Sequence, residues 1–419
     1  MIASMLLLAS MAAGALGNAV VGGSGRAEFQ HLRWRGDVVR ISVSSSMTRP
    51  GPNIKSDSDV LGALRRSVQA WSSIADVDIQ IDLVDKQSVS PAGVAGDGVS
   101  LITIAQSPEN VLFFTNDADT VSAKTRIFYN RKGFITEADI VLNPFQQFST
   151  DGTFGTFDLE STLTHEMGHL LGLRHSAVIS ATMAENLARN GTRGLIDLSP
   201  RTLADSDIAA VRDLYGARPG DDECCASVAG KLSVAAGKGL TQLRIWAEEK
   251  ASGRVASQTE TAADGSYRLG GMPAGEFTLY WKFQESSQQS TSGTLGDVRL
   301  ETADIRTLNA RITPRASDVD IQYLGLNGRL ADFSLPVAGG RSYTLNVGGK
   351  NLTEGHIEFR TPFISALSLP AISQEFSDGI FGLTYFVSVE REIPAGQYTI
   401  DLVDQNGERT CMIGGLNVE

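Results

Sequence analysis

Residues Thr164–Ser176 read THEMGHLLGLRHS. The stretch sets His165, Glu166, His169, Gly172 and His175 in the pattern H-E-x-x-H-x-x-G-x-x-H and contains three of the chain's five histidines. On a helix of about 100° per residue, His165 and His169 lie about 40° apart and one turn from each other, so both imidazoles can reach one ion. Leu159, Leu163, Met167 and Leu170 point the other way, about 120–160° from His165, which predicts burial against a sheet. Gly172 can take the positive φ that ends the helix and turns the chain. His175 then approaches from a direction that a continuous helix does not offer.

Three neutral imidazoles leave one position open on a tetrahedral zinc, as a catalytic site requires. A water there has its pKa lowered towards ~7, and Glu166, next to His165, is placed to take its proton and hand it to a leaving amine. The pattern therefore predicts metal-assisted hydrolysis of an amide. A purely structural zinc closes with four protein ligands and has no use for Glu166.

Outward from this stretch, residues up to Gly216 mix strand and helix signals. Asp37–Ser44 alternates as a strand. Val60, Leu64, Val68 and Trp71 recur at helical spacing behind a capping cluster at Ser56–Asp59. Val77, Ile79, Ile81 and Leu83 alternate with polar residues, and Val99–Ile104, Val111–Thr115, Thr125–Tyr129 and Ala138–Leu142 also read as strands. Helices are expected around Leu159–Leu171 and Asp205–Tyr215, with Gly216 as a stop. The polar segment Ala217–Glu223 reads as a linker. Beyond it helical periodicity fades. Alternating runs at Leu243–Ala247, Ser266–Leu269 and Phe277–Phe283, then from about Pro314 at Ser342–Val347, Ile357–Phe359, Tyr385–Val389 and Tyr398–Val403, are separated by turn residues, as in β-sandwiches.

The central motif, followed eight residues later by Met183 in SATM, resembles the metzincin signature and its Met-turn. Ser176 directly after the third histidine, EADIVLNP (Glu137–Pro144), FDLESTLTHE and LSPRTLADSDIAAVRDLYG are similar to matrixins, the matrix metalloproteinase-like peptidases. The resemblance covers roughly Leu32–Gly216. It implies an α+β catalytic domain, a mixed twisted sheet with three helices, over 28–217. It also implies one catalytic zinc on His165, His169 and His175, Glu166 as general base, and Gly172 and Met183 as supports of the site. Matrixins commonly carry a propeptide cysteine that blocks the zinc, but no Cys precedes Cys224, so latency by that route is not expected. The family's second zinc is not expected either, since only His31 and His356 remain. For the family's calcium, Asp117 and Asp119 in TNDADT are the one cue, and they read as a solvated turn.

After the linker, 218–225, Thr261–Trp281 (TAADGSYRLGGMPAGEFTLYW) resembles the carboxypeptidase-regulatory-like, transthyretin-type sandwich, expected over 226–313. Its aromatics Tyr267, Phe277, Tyr280 and Trp281 are expected in the core. Gly339–Leu352 and Ile393–Gly407 resemble an Ig-like module over 314–419. Such modules imply contact with a surface or polymer.

Composition bounds the rest. A chain of 419 residues suits about three domains, and 42% hydrophobic residues can build their cores. A formal charge of −12 argues against nucleic acid as a partner, and protein or peptide substrates fit better. Met1–Val21 is the only long apolar run. It is too short and small-residued for a membrane span and reads as a signal peptide, 1–19, although no basic residue precedes Arg26. Export to the extracellular space is expected. Three cysteines do not make a disulfide scaffold; a bridge from Cys224 or Cys225 to Cys411 and free thiols both stay open. The competing reading is a secreted adhesive or structural protein with a vestigial peptidase domain. It is weaker, because ligands, base, turn glycine and methionine occur together.

Overall fold

The computed structural model describes residues 31–419 except 50, 92, 94, 186, 192–200, 222–223, 235–242, 287–288, 315–318, 327–328, 351, 353, 368–371 and 378. The expected signal peptide lies outside the described residues. Among them, no helix is long and apolar enough to cross a membrane.

The first unit is built on a mixed sheet. Strands β1 (Arg33–Trp34), β2 (Val38–Ser44), β3 (Asp78–Val84), β4 (Leu101–Thr103), β5 (Ala123–Tyr129) and β6 (Phe134–Leu142) form it. The order is β1–β6–β4–β2–β3 with every pair parallel, and β5 returns antiparallel along β6. Helix α1 (Val60–Ser72) starts where the Asp59 carboxylate accepts the Gly62 N–H at 2.9 Å. The short α2 (Pro108–Val111) follows β4, and a small pair, β7 (Phe148–Ser149) with β8 (Phe157–Asp158), precedes α3 (Leu159–Leu170). Asp158 caps α3 by accepting the Ser161 N–H at 2.8 Å. The last helix is α4 (Asp205–Tyr215).

Leu159, Leu163, Met167 and Leu170 are fully buried and join β2, β4 and β6 residues in one core, as their spacing predicts. The polar side of α3 is buried too, because α1 lies along it and the Trp71 indole donates to the Thr164 carbonyl at 2.9 Å. The expected strand Val111–Thr115 is wrong. Val111 ends α2, and Leu112–Phe114 form a 3-10 turn. Ser107 caps α2 and Pro108 presets its first turn, and these local signals outweigh the β propensity of the run.

The remainder is all strand among the described residues. One sheet is β11 (Val255–Glu260), β10 (Arg244–Glu249), β13 (Gly275–Ser286) and β14 (Gln289–Leu300). It faces β12 (Ser266–Pro273), β9 (Cys224–Val234), β15 (Ile305–Thr307) and β16 (Ala310–Ile312) across a shared core. β9 begins at Cys224, directly after the polar segment Ala217–Glu223, so Cys224 and Cys225 of the expected linker 218–225 belong to a strand. These two are joined to each other, and Cys411 is buried and free. A second pair of sheets encloses another core. One holds β17 (Tyr323–Leu326), β18 (Arg329–Ala331), β20 (Arg341–Lys350), β22 (Ile364–Ala366), β23 (Ile372–Ser377) and β24 (Ile380–Val389). The other holds β19 (Leu335–Val337), β21 (His356–Phe359), β25 (Gly396–Val403) and β26 (Arg409–Val418).

These units are packed hard against one another. Helix α4 seats on β12 where Gly270 and Gly271 leave room: a Cβ on Gly270 would lie 1.8 Å from the Asp213 carboxylate, and one on Gly271 1.9 Å from the Ala209 carbonyl. Arg268 pairs with Asp213 at 3.0 Å and Arg254 with Asp205 at 3.3 Å across the same contact. Farther on, Arg360 grips Asp401 with two bonds of 2.6 Å, reaches Glu248 at 3.4 Å, and lies 3.7 Å over the Tyr280 ring. Tyr267, Phe277 and Trp281 are core residues as expected, whereas Tyr280 faces this junction and stacks on Trp246.

Candidate metal centre

Helix α3 sets His165 and His169 one turn apart. Its last turn closes onto Gly172, whose φ is +100° and whose missing Cβ would lie 2.1 Å from the Leu32 carbonyl. The reversed chain brings His175 back, and one ring nitrogen from each histidine falls within 4.8 Å of the other two. His169 Nε2 and His175 Nε2 are 3.1 Å apart.

Backbone carbonyls orient the two helical rings. His165 Nδ1 donates to the Thr182 carbonyl at 2.8 Å, and His169 Nδ1 to the Leu173 carbonyl at 2.9 Å. A carbonyl only accepts, so Nδ1 carries the proton and Nε2 keeps its lone pair free. Burial, with neighbouring imidazoles as the next cause, lowers His165 and His169 to about 3 and His175 to about 4. Three neutral nitrogen donors converging on one point, with no fourth protein ligand beside them among the described residues, are the donor set of a zinc with an open position.

Glu166 is 3% exposed. Burial raises its pKa to about 7, opposed by the Thr125 hydroxyl on β5, which donates to Glu166 Oε2 at 2.5 Å.

The loop from His175 to Met183 is tied down at both ends. Ser176 N–H donates to the Met183 carbonyl at 2.7 Å. Asp207 on α4 accepts Thr182 N–H at 2.8 Å and Met183 N–H at 3.3 Å. Met183 is buried against α3, where Gly168 makes space: a Cβ there would meet Met183 Sδ at 2.2 Å and Trp71 at 2.9 Å.

The structure thus brings His165, His169 and His175 together, keeps Glu166 on the same helix, and places Gly172 at the turn and Met183 beneath α3. Sequence reasoning missed Gly168, Asp207 and Thr125. A glycine inside a strongly patterned helix is a detectable signal; nothing in the sequence marks the other two. Asp117, read as solvated, is instead half-buried and paired with Lys124 at 2.7 Å.

Residues 48–216 match the sequence model of the matrixin family, so the chain carries a matrixin domain there. Two curated relatives are metalloendoproteinases of Arabidopsis thaliana. Metalloendoproteinase 1-MMP is 28% identical over 197 residues, 45% of this chain and 45% of its own. Metalloendoproteinase 4-MMP is 24% identical over 200 residues, 45% of this chain and 49% of its own. The chain spans about half the length of these relatives. Among solved structures, the major pilin subunit of Bacillus cereus overlays 46% of this chain and 69% of its own at 11% identity, with a TM-score of 0.17 that carries no argument.

Proposed function

We propose that the protein is a secreted zinc metalloendopeptidase with His165, His169 and His175 as zinc ligands and Glu166 as general base. The observation that carries this reading is the convergence of three imidazole nitrogens within 4.8 Å, two of them fixed in tautomer by backbone carbonyls, with a buried carboxylate, Glu166, on the same helix. A zinc ion held there would act as a Lewis acid on the scissile carbonyl and make water acidic enough to deprotonate near neutral pH. Glu166 takes the proton of the attacking water and delivers it to the leaving amine. Thr125 holds the carboxylate in place for both transfers, and Gly172 and Met183 hold the ligands. The apolar leader Met1–Val21 supports export. The chain divides into a peptidase domain over 28–217 and two β-sandwich modules over 226–313 and 314–419.

The test is hydrolysis of a quenched mixed-peptide library by wild type, by Glu166→Ala, and by chelator-treated wild type with zinc restored. Glu166→Ala should keep its zinc and lose turnover by about 10² or more, and zinc should restore the stripped wild type. Undiminished hydrolysis by Glu166→Ala refutes the mechanism.

A further inference from the structure

The loop between His175 and Met183 rests on residues from the far end of the chain. Ile179 N–H donates to the Ile413 carbonyl of β26 at 2.9 Å. Val178 is fully buried in a cluster with Ala181, Trp246, Val255, Cys411 and Ile413, which draws on all three units. Ile179 packs against the core of the last unit. On the other flank Ala177 N–H reaches the Gln258 side chain of β11 at 3.5 Å.

The β26 strand is shaped for this contact. Its ladder with β25 pairs Met412 with Ile400 and then Leu416 with Tyr398, so Ile413–Gly415 bulge opposite Thr399. A bulge of this kind re-aims backbone groups out of the ladder. Gly414 at its centre has φ +65°, and a Cβ there would lie 2.4 Å from Val178 Cγ1 and 3.0 Å from Ser180 Oγ. The strand is itself anchored. Lys282 of β13 is buried, donates to the Cys411 carbonyl at 2.7 Å and pairs with Asp320 at 3.1 Å.

We propose that Ile413 and Gly414 of β26 are positioning residues of the metal centre. They hold the loop from which His175 and the Thr182 carbonyl, the partner of His165, reach the site, so the centre is fully formed only when the last sandwich is docked. The inference rests on the metallopeptidase reading and extends it. The C-terminal units form part of the scaffold of the site and are more than appendages.

The experiment uses the full chain and two readouts besides activity: the rate of Zn2+ release into excess EDTA, and the visible absorption of the Co2+-substituted protein. Gly414→Ala should release zinc about tenfold faster, the usual scale for losing an outer-shell support, and alter the Co2+ bands. Gly407→Ala is the control, because Gly407 also has a positive φ, +77°, but nothing lies within 4 Å of its Cβ position. It should match wild type in both readouts. Adding Val178→Ala to Gly414→Ala relieves the closest contact and should return release to within about threefold of wild type, which also separates a displaced loop from a misfolded chain. Release from Gly414→Ala at the wild-type rate with unchanged bands overturns the proposal, as does equal impairment of Gly407→Ala or absence of rescue. Wild type that binds no zinc refutes the metallopeptidase reading and this inference with it. Zinc-loaded wild type that cleaves no peptide refutes only the peptidase reading.

Discussion

Gly168 sits inside α3, where alanine is ordinarily the better helix former by about 1 kcal/mol. In an exposed helix Gly168→Ala would stabilise by that amount. Here the new methyl would lie 2.2 Å from Met183 Sδ and 2.9 Å from Trp71 Cζ2. Ordinary contacts need about 3.5–4.0 Å, so Met183 must retreat by about 1.5 Å. Both neighbours are buried, and overpacking of a filled core costs about 1–3 kcal/mol. The net expectation is destabilisation of up to about 2 kcal/mol in urea unfolding of the metal-free chains. Met183→Ala alone should cost about 2–5 kcal/mol through its cavity. In the double variant the methyl introduced by Gly168→Ala occupies part of that cavity, so the two effects should couple favourably by at least about 1 kcal/mol. A Gly168→Ala protein more stable than wild type by the full helix-propensity gain, or strict additivity in the double variant, refutes the packing of Met183 against α3 described above.

Two further outcomes follow from the site and its sheet. Thr125→Val should lower kcat/KM about tenfold while leaving zinc content unchanged, and Thr125→Ser, which keeps the hydroxyl donor to Glu166, should restore most of it; equal losses in both variants would show that the hydroxyl has no role. Asp139 is 1% exposed, and burial raises it from 3.8 to about 6 despite its pair with Arg126. A carboxyl raised in the folded state favours folding below its unfolded pKa, and that contribution is lost as pH climbs through about 6, a change of about 3 kcal/mol. The loss of stability between pH 4 and pH 6.5 should therefore be visibly shallower in Asp139→Asn than in wild type, and identical slopes would refute the shift.

The parts of this molecule that were legible in its sequence are those written in local code. The metal motif fixes a helix, a glycine turn and a returning histidine within a dozen residues, and alternation marks β2 and β3. Val111–Thr115 misled because four consecutive apolar residues and a threonine carry no period, and the deciding signals, Ser107 and Pro108, lie just before them. Thr125 and Asp207 were invisible for a different reason. Each acts on a residue more than twenty positions away, and only the sheet and the Met183 turn bring the partners together. The same holds for Tyr280: its place in an alternating strand is legible, but the face that meets Arg360 is set by a neighbouring unit.

The glycine pair in β12 carries a consequence for how such a chain can change over generations. Gly270 and Gly271 are bare because Asp213 and Ala209 of α4 occupy the space their side chains would fill, and α4 is also the helix whose Asp207 secures the turn at Met183. Replacing the following module with an unrelated one would remove a surface matched to that helix at the scale of single atoms. Recombination at the polar segment after Gly216 would therefore leave exposed a helix face fitted to Gly270 and Gly271 and, on the inference drawn above, loosen the loop that carries His175.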